Sequence, residues 1–220
     1  MAITLDTSCP VWTLSLGSDE NRFSPDALAG IREALDRVTA SGDSVALQVT
    51  ASGKFFSNGL DLEWLQAHAG EWQAYIGQVH DMLSRVLVLP VPTVCAINGH
   101  CFAAGAMLAL ACDYRVMRTE RGFFCLPEVD INIPFTPGMS ALIQSKLSAR
   151  SALDAMATGR RFDAPAALAA GIADAICDLG DLGEVASSMV SGLAGKDRGT
   201  LGAIKSTMYA SAVAALAQPL

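Results

Sequence analysis

Residues 97–113 read INGHCFAAGAMLALACD, and the reading of this stretch decides how the rest of the chain is understood. It opens with the turn pair Asn98-Gly99, passes through the small residues Ala103, Ala104, Gly105 and Ala106, and runs into an apolar stretch that predicts a buried helix. Small side chains at a helix start let another molecule come close to the backbone. The first N–H groups of a helix have no partner inside it, and the macrodipole makes that end attractive to negative charge. The segment is therefore suited to hold an anion, or an oxygen that is about to become one.

Working outward, Pro92 to Ile97 reads as a buried strand leading into this helix. No Asp, Glu, Lys or Arg occurs from Val86 to Cys112, yet Pro90, Pro92, Asn98 and Gly99 interrupt the run. A membrane span needs about 18 or more uninterrupted apolar residues, so a buried strand–turn–helix unit is expected instead. Upstream, Ile3–Leu5 and Val11–Leu16 predict paired strands. Ser24-Pro25 is a helix start with a cap and a proline at the first helical position, and the helix runs to about Ala40. Ser44–Thr50 predicts a strand, Lys54–Gly59 a short loop, Leu60–Leu65 a helix start and Glu71–Leu89 a longer helix. Downstream, Tyr114–Arg118 and Phe123–Cys125 predict strands. Helices are expected at Pro137–Leu147, Ala149–Ala157, Ala164–Ala170, Leu182–Leu193 and Gly202–Ala217. The class is α/β, with a core over residues 1–147 and a helical region over 148–220.

Composition narrows the function. The 220 residues are 51% hydrophobic and 17% charged, enough for a sizeable core in one large domain or in a domain with a helical appendage. The formal net charge of −7 speaks against nucleic acid or an anionic membrane surface as the main partner. The six cysteines (9, 95, 101, 112, 125 and 177) form no CxxC pair, and several lie in apolar runs, as expected in a reducing cytoplasm. No signal peptide is evident, and the terminal Gln-Pro-Leu is not the Ser-Lys-Leu peroxisomal address. His68, His80 and His100 lack metal-ligand spacing, so no metal is expected; His68 and His80 are expected on solvated helix faces, and His100, beside the turn, is a candidate ligand contact. Gly99 and Gly105 have no Lys-Ser/Thr after them, and neither GxGxxG nor HExxH occurs.

A second glycine-flanked bend, Phe56-Ser57-Asn58-Gly59-Leu60-Asp61, also turns a strand end into a helix start. If it faces the bend at Ala103-Ala104-Gly105, two backbone N–H donors converge on one point, which is an oxyanion hole. Asp61 reads as a helix-start residue.

These two bends carry a resemblance. FFSNGLDL (residues 55–62), then PVPTVCAINGHCFAAGAMLALACDYRVM (90–117) and LPEVDINIPF (126–135), resemble the crotonase, or enoyl-CoA hydratase/isomerase, superfamily, and within it the Δ3-Δ2-enoyl-CoA isomerases. The resemblance implies a spiral of ββα units with a helical C-terminal trimerisation region, acyl-CoA thioester substrates, no cofactor beyond that thioester, and a homotrimer or dimer of trimers. It puts the oxyanion donors on the N–H groups of Leu60 and Ala104. Substrate contacts are implied for Lys54, Phe56, Ser57, Asn58 and Gly59, and for Gly105 and Met107.

The acids distinguish the reactions. Hydratases of the superfamily use two glutamates; the first falls here on Met107, which cannot transfer protons, and the second on Glu128. Superfamily isomerases often work with this single glutamate, and moving a double bond by one carbon needs one base that takes a proton and returns it. Asp130 is the fallback carboxylate. Asn132 stands where many relatives carry glycine. Lys205 is expected on a solvated helix face, with contact to CoA phosphates as the alternative. Three rival functions remain: a hydratase, an inactive acyl-CoA-binding member, and a serine peptidase of the Clp type, which shares the spiral but needs a serine where Ala103 and Ala104 stand.

Overall fold

The computed structural model describes residues 3–219. Its strands are β1 (Thr4–Asp6), β2 (Val11–Ser15), β3 (Ala46–Thr50), β4 (Phe55–Ser57), β5 (Thr93–Ile97), β6 (His100–Phe102), β7 (Tyr114–Arg118), β8 (Phe124–Cys125) and β9 (Ala175–Cys177). The helices are α1 (Pro25–Ala40), α2 (Leu62–Ala67), α3 (Trp72–Leu87), α4 (Ala104–Ala111), α5 (Pro137–Lys146), α6 (Ala149–Thr158), α7 (Ala164–Ala169), α8 (Leu182–Ser191), α9 (Arg198–Met208) and α10 (Ala210–Leu216).

The strands form two sheets. One is six-stranded, ordered β1-β2-β3-β5-β7-β9; the other is three-stranded, ordered β4-β6-β8. Apart from the β1–β2 hairpin, every pairing between these strands is parallel. The order repeats: a strand of the large sheet, a short strand of the small sheet, then helix. β3–β4–α2/α3, β5–β6–α4 and β7–β8–α5 are three turns of one spiral, as the resemblance implies.

Side-chain alternation places the core. On β5, Cys95 and Ile97 join the main cluster with α1, α3 and α4, while Val94 and Ala96 point the other way. There they meet Ala46, Val116 and, from α8, Leu182, Ala186 and Val190. With both faces covered, β5 is buried along its whole length. All eight residues of α4 are buried as well, as its apolar sequence predicts.

Capping follows the sequence. The Ser24 side chain accepts from the Ala27 N–H with Pro25 at the helix start, and Asp61 caps α2 by accepting from the Trp64 N–H.

Several expectations are corrected. The segment between Asn98 and the helix contains β6, hidden because His100-Cys101-Phe102 is too short for a periodic signal. Residues 54–59, expected as a loop, contain β4. The split at 147 does not divide the molecule: β9 completes the large sheet and α8 covers its outer face. The single helix expected over 202–217 is two, α9 and α10, meeting at Tyr209.

Candidate active site

The first bend is held by a loop that the sequence did not flag. Asn21 Nδ2 donates to the carbonyls of Phe55 and Phe56, each at 3.1 Å, and Ser57 Oγ donates to Asn21 O at 2.7 Å. The Gly59 N–H donates to Ser57 Oγ at 3.1 Å, and Phe23 N–H donates to Gly59 O at 2.8 Å. Past the bend, Asp61 N–H donates to the Tyr75 hydroxyl at 2.9 Å, and that hydroxyl donates to Phe23 O at 2.7 Å. The neighbours on both sides are fixed, while the Leu60 amide between them is bonded to no other group among the described residues.

The second bend follows β6. Ala103 turns at φ 50° and ψ −125°, a backbone state that L-residues rarely adopt, and α4 begins at Ala104. As the first helical residue, Ala104 has no intrahelical acceptor for its N–H. Its φ is not among the positive ones, so an alanine side chain is accommodated here without backbone strain.

The two bends abut. A β-carbon on Gly59, whose φ is 82°, would lie 2.9 Å from Ala103 Cβ and 3.1 Å from the Ala104 nitrogen. One on Gly105 would lie 2.6 Å from Ser57 Cβ. β4 and β6 pair side by side through Phe55↔His100 and Ser57↔Cys101, and this pairing brings residues far apart in sequence together.

A cavity of about 290 Å³ opens at this junction. Leu60 and Ala104 line it, with Asn58, Met107 and Glu128. The remaining wall is largely apolar: Trp72 and Ile76 from α3, Ile131 and Ile133 from the loop after β8, and Met139 from α5. Glu128 sits in a tight 3-10 turn, Pro127–Val129, and is 6% exposed. Its Oε2 is buried with no hydrogen-bond partner. Burial raises its pKa to about 7, against a smaller downward pull from its own backbone. The loop folds back on this turn, with Ile133 N–H donating to Glu128 O at 3.0 Å and Asn132 adopting φ 57°.

The other expected residues divide. Asn58 lines the cavity but is tied to Glu20, its Nδ2 donating to Glu20 Oε2 at 3.3 Å. Phe56, Ser57, Gly59 and Gly105 are buried where the bends pack. Lys54 is exposed, its Nζ 5.1 Å from the centre of the Phe55 ring. Asp130 is exposed and does not line the cavity. His100 stands among the Phe55, Phe102 and Phe123 rings and does not itself line the cavity, and burial with the nearby Lys54, Arg121 and Arg161 lowers its pKa.

Two placements are overturned. His80 is not solvated: it is 2% exposed and bonded at both ring nitrogens. Lys205 is on no solvated face either; buried, it donates to Leu89 O, Val91 O and Asp113 Oδ2. Helical periodicity alone does not show that a lysine head has three acceptors waiting at the far end of its stem. Sequence reasoning also missed Arg22 at the cavity mouth, paired with Glu63 at 2.9 Å, and Thr136 in its wall. Among the described residues no group of three His, Cys, Asp or Glu side chains is arranged to hold a metal, and no helix is long and apolar enough to cross a membrane.

Comparison with known proteins agrees with this geometry. The model of the enoyl-CoA hydratase/isomerase family matches residues 9–220. Enoyl-CoA delta isomerase 3 of Arabidopsis thaliana is 37% identical over 181 residues, covering 78% of this chain and 75% of that protein. Peroxisomal enoyl-CoA delta isomerase 2 of the same plant is 35% identical over 196 residues, covering 84% and 81%. An enoyl-CoA hydratase/isomerase family protein of Pseudomonas syringae superposes with a TM-score of 0.90 at 25% identity, covering 97% of this chain and 93% of that one.

Proposed function

Because this chain belongs to the enoyl-CoA hydratase/isomerase family, we propose that it is a Δ3-Δ2-enoyl-CoA isomerase. The observation that carries the reading is the unpartnered carboxylate of Glu128 in a largely apolar cavity wall that Leu60 and Ala104 also line. Glu128 takes the proton from C2 of a 3-enoyl thioester. The electron pair moves into the thioester carbonyl, giving a dienolate whose oxygen accepts from the N–H groups of Leu60 and Ala104. Glu128 then returns the proton to C4, and the carbonyl re-forms beside a double bond between C2 and C3. Each oxyanion donor contributes about 2.7–4 kcal/mol to such a barrier.

A carboxylate buried without partners is a stronger base than one in water, and its pKa near 7 leaves a substantial ionised fraction at neutral pH. Met107 presents a thioether where a second acid would be needed to activate water. The exposed Asp130 does not replace it. Both observations favour isomerisation over hydration. No cofactor enters the step. The buried and half-buried free cysteines fit a reducing compartment, and we assign the protein to the cytoplasm. The exposed Ile204 and Met208 of α9 beside an apolar groove support self-association, which the family resemblance makes a homotrimer or dimer of trimers and which sedimentation would test.

The test is to mix the protein with 3-hexenoyl-CoA and follow formation of the conjugated 2-enoyl thioester in the ultraviolet, with wild type and Glu128→Gln side by side. Rapid turnover only in wild type supports the reading. Addition of water to crotonyl-CoA would make the protein a hydratase, and thioester binding with both proteins silent would make it an inactive binder.

A further inference from the structure

His80 lies on α3, outside the chemistry above, yet its two bonds fix its protonation pattern. Nδ1 is 3.0 Å from the carbonyl of Leu216, the last residue of α10. A carbonyl only accepts, so Nδ1 carries a hydrogen, and the neutral ring then has Nε2 as an acceptor. Nε2 is 2.8 Å from Thr136 Oγ1, which itself accepts from the Met139 N–H at 3.2 Å as the cap of α5. The hydroxyl's one proton therefore goes to His80. The bonds run in a single direction: Met139 N–H to Thr136 oxygen, Thr136 O–H to Nε2, and Nδ1–H to Leu216 O.

Thr136 is also part of the cavity wall, and it closes the loop that begins at Glu128. Drawing its proton away from the cavity leaves a surface that an acyl chain can cover without burying a donor that has lost its water. We propose that His80 is a positioning residue for the acyl site, keeping this part of the wall free of a donor by accepting the Thr136 proton, and that protonation of His80 turns the proton back toward the cavity. An imidazolium donates from both nitrogens. Thr136 Oγ1 would then accept from His80 as well as from Met139, and its own O–H could point only elsewhere. The inference rests on the acyl reading of the Glu128 cavity.

Surrounding charge does not override this. α4 and α10 carry no titratable side chain, and α5 carries only Lys146 at its far end. α3 itself has Asp81 and Arg85, and α1 packs against it with Arg32 and Asp36, the last paired to Arg85. The His80 pKa is lowered by burial, and the bond to Leu216 offsets this in part. The neutral, accepting form is thus the resting one at neutral pH and is lost as pH falls below the ordinary histidine range.

The test uses the full chain carrying Glu128→Gln, which removes turnover and the titration of Glu128. Binding of octanoyl-CoA is measured by calorimetry between pH 5 and 8. Affinity should fall roughly three- to tenfold toward pH 5, the size of one hydrogen bond. Adding Thr136→Val should abolish that dependence, Thr136→Ser should keep it, and His80→Asn, too short to reach Thr136, should abolish it. Nitrogen-15 spectra of labelled histidine, assigned with His80→Asn, should show a neutral ring protonated at Nδ1. A ring protonated at Nε2, or an unaltered pH dependence in Thr136→Val, overturns the role of His80 alone. If no thioester binds at any pH, the acyl reading falls together with it.

Discussion

Gly59 and Ala103 stand back to back, each with a positive φ, so close that a β-carbon on the glycine would come within 2.9 Å of the one on the alanine. The same added carbon would lie 3.1 Å from both the Ala104 nitrogen and the Phe102 oxygen. Gly59→Ala must therefore push the bends apart or force an unfavourable φ. Turnover of 3-hexenoyl-CoA should drop by roughly 10²–10³-fold, as when an oxyanion donor is lost. Near-wild-type kcat in a folded Gly59→Ala protein would show that the amide pair does not hold the thioester.

Ala103 is the opposite case. Its φ of 50° with ψ of −125° stores strain that glycine would not. Ala103→Gly should raise stability by about 1 kcal/mol after the larger unfolded-state entropy of glycine is subtracted. Thermal melts of the two proteins measure this, and a lowered Tm would contradict it.

Glu128 sets both the pH profile and a stability cost. As a base it must be ionised, so kcat/KM should rise with pH and level off above about 7. Its folded pKa lies above the unfolded value, so the folded state binds more protons, and stability falls as pH rises from about 4.5 through about 7. Glu128→Gln should therefore be more stable than wild type at pH 8, by about 3 kcal/mol, and show little difference at pH 4. Urea unfolding at the two pH values tests this; equal differences at both would show that the carboxylate is not buried.

Lys205 and Asp113 form a 2.6 Å pair whose side chains are 5% and 19% exposed. Asp113 also accepts from the Thr93 N–H, which ties α9 to the start of β5. Lys205→Met alone leaves a carboxylate without its cation and should cost about 3–5 kcal/mol. The double change with Asp113→Asn should cost less than the single one, a comparison that denaturant titration of the three proteins makes directly.

Much of this was legible beforehand, and for physical reasons. Ser24-Pro25 announced α1 because a capping hydroxyl and a proline have few other uses together. Residues 104–111 announced a buried helix because no polar side chain interrupts them. The apolar setting of Glu128 was legible because its sequence neighbours Leu126, Pro127 and Val129 are apolar, and the structure places it, with Met107, in the cavity wall. Lys205 and His80 were misplaced because periodicity reports which way a side chain leaves its helix, not what stands opposite. Thr136, Trp72 and Ile76 carried no signal, since lining a cavity requires nothing of a residue type that lining a core does not.

The sequence by itself determined the alternation of strands and helices, the apolarity of α4 and the thioether at position 107. These are properties of local pattern and composition, and a single chain carries them whole. Only the tertiary structure decided that the bends at 59 and 103 touch, that β9 and α8 complete the body of the fold, and that the wall holding Thr136 is wired through His80 to the end of α10. Those facts depend on which distant segments pair in register, and pairing is chosen by the summed packing of both partners, which neither segment encodes alone.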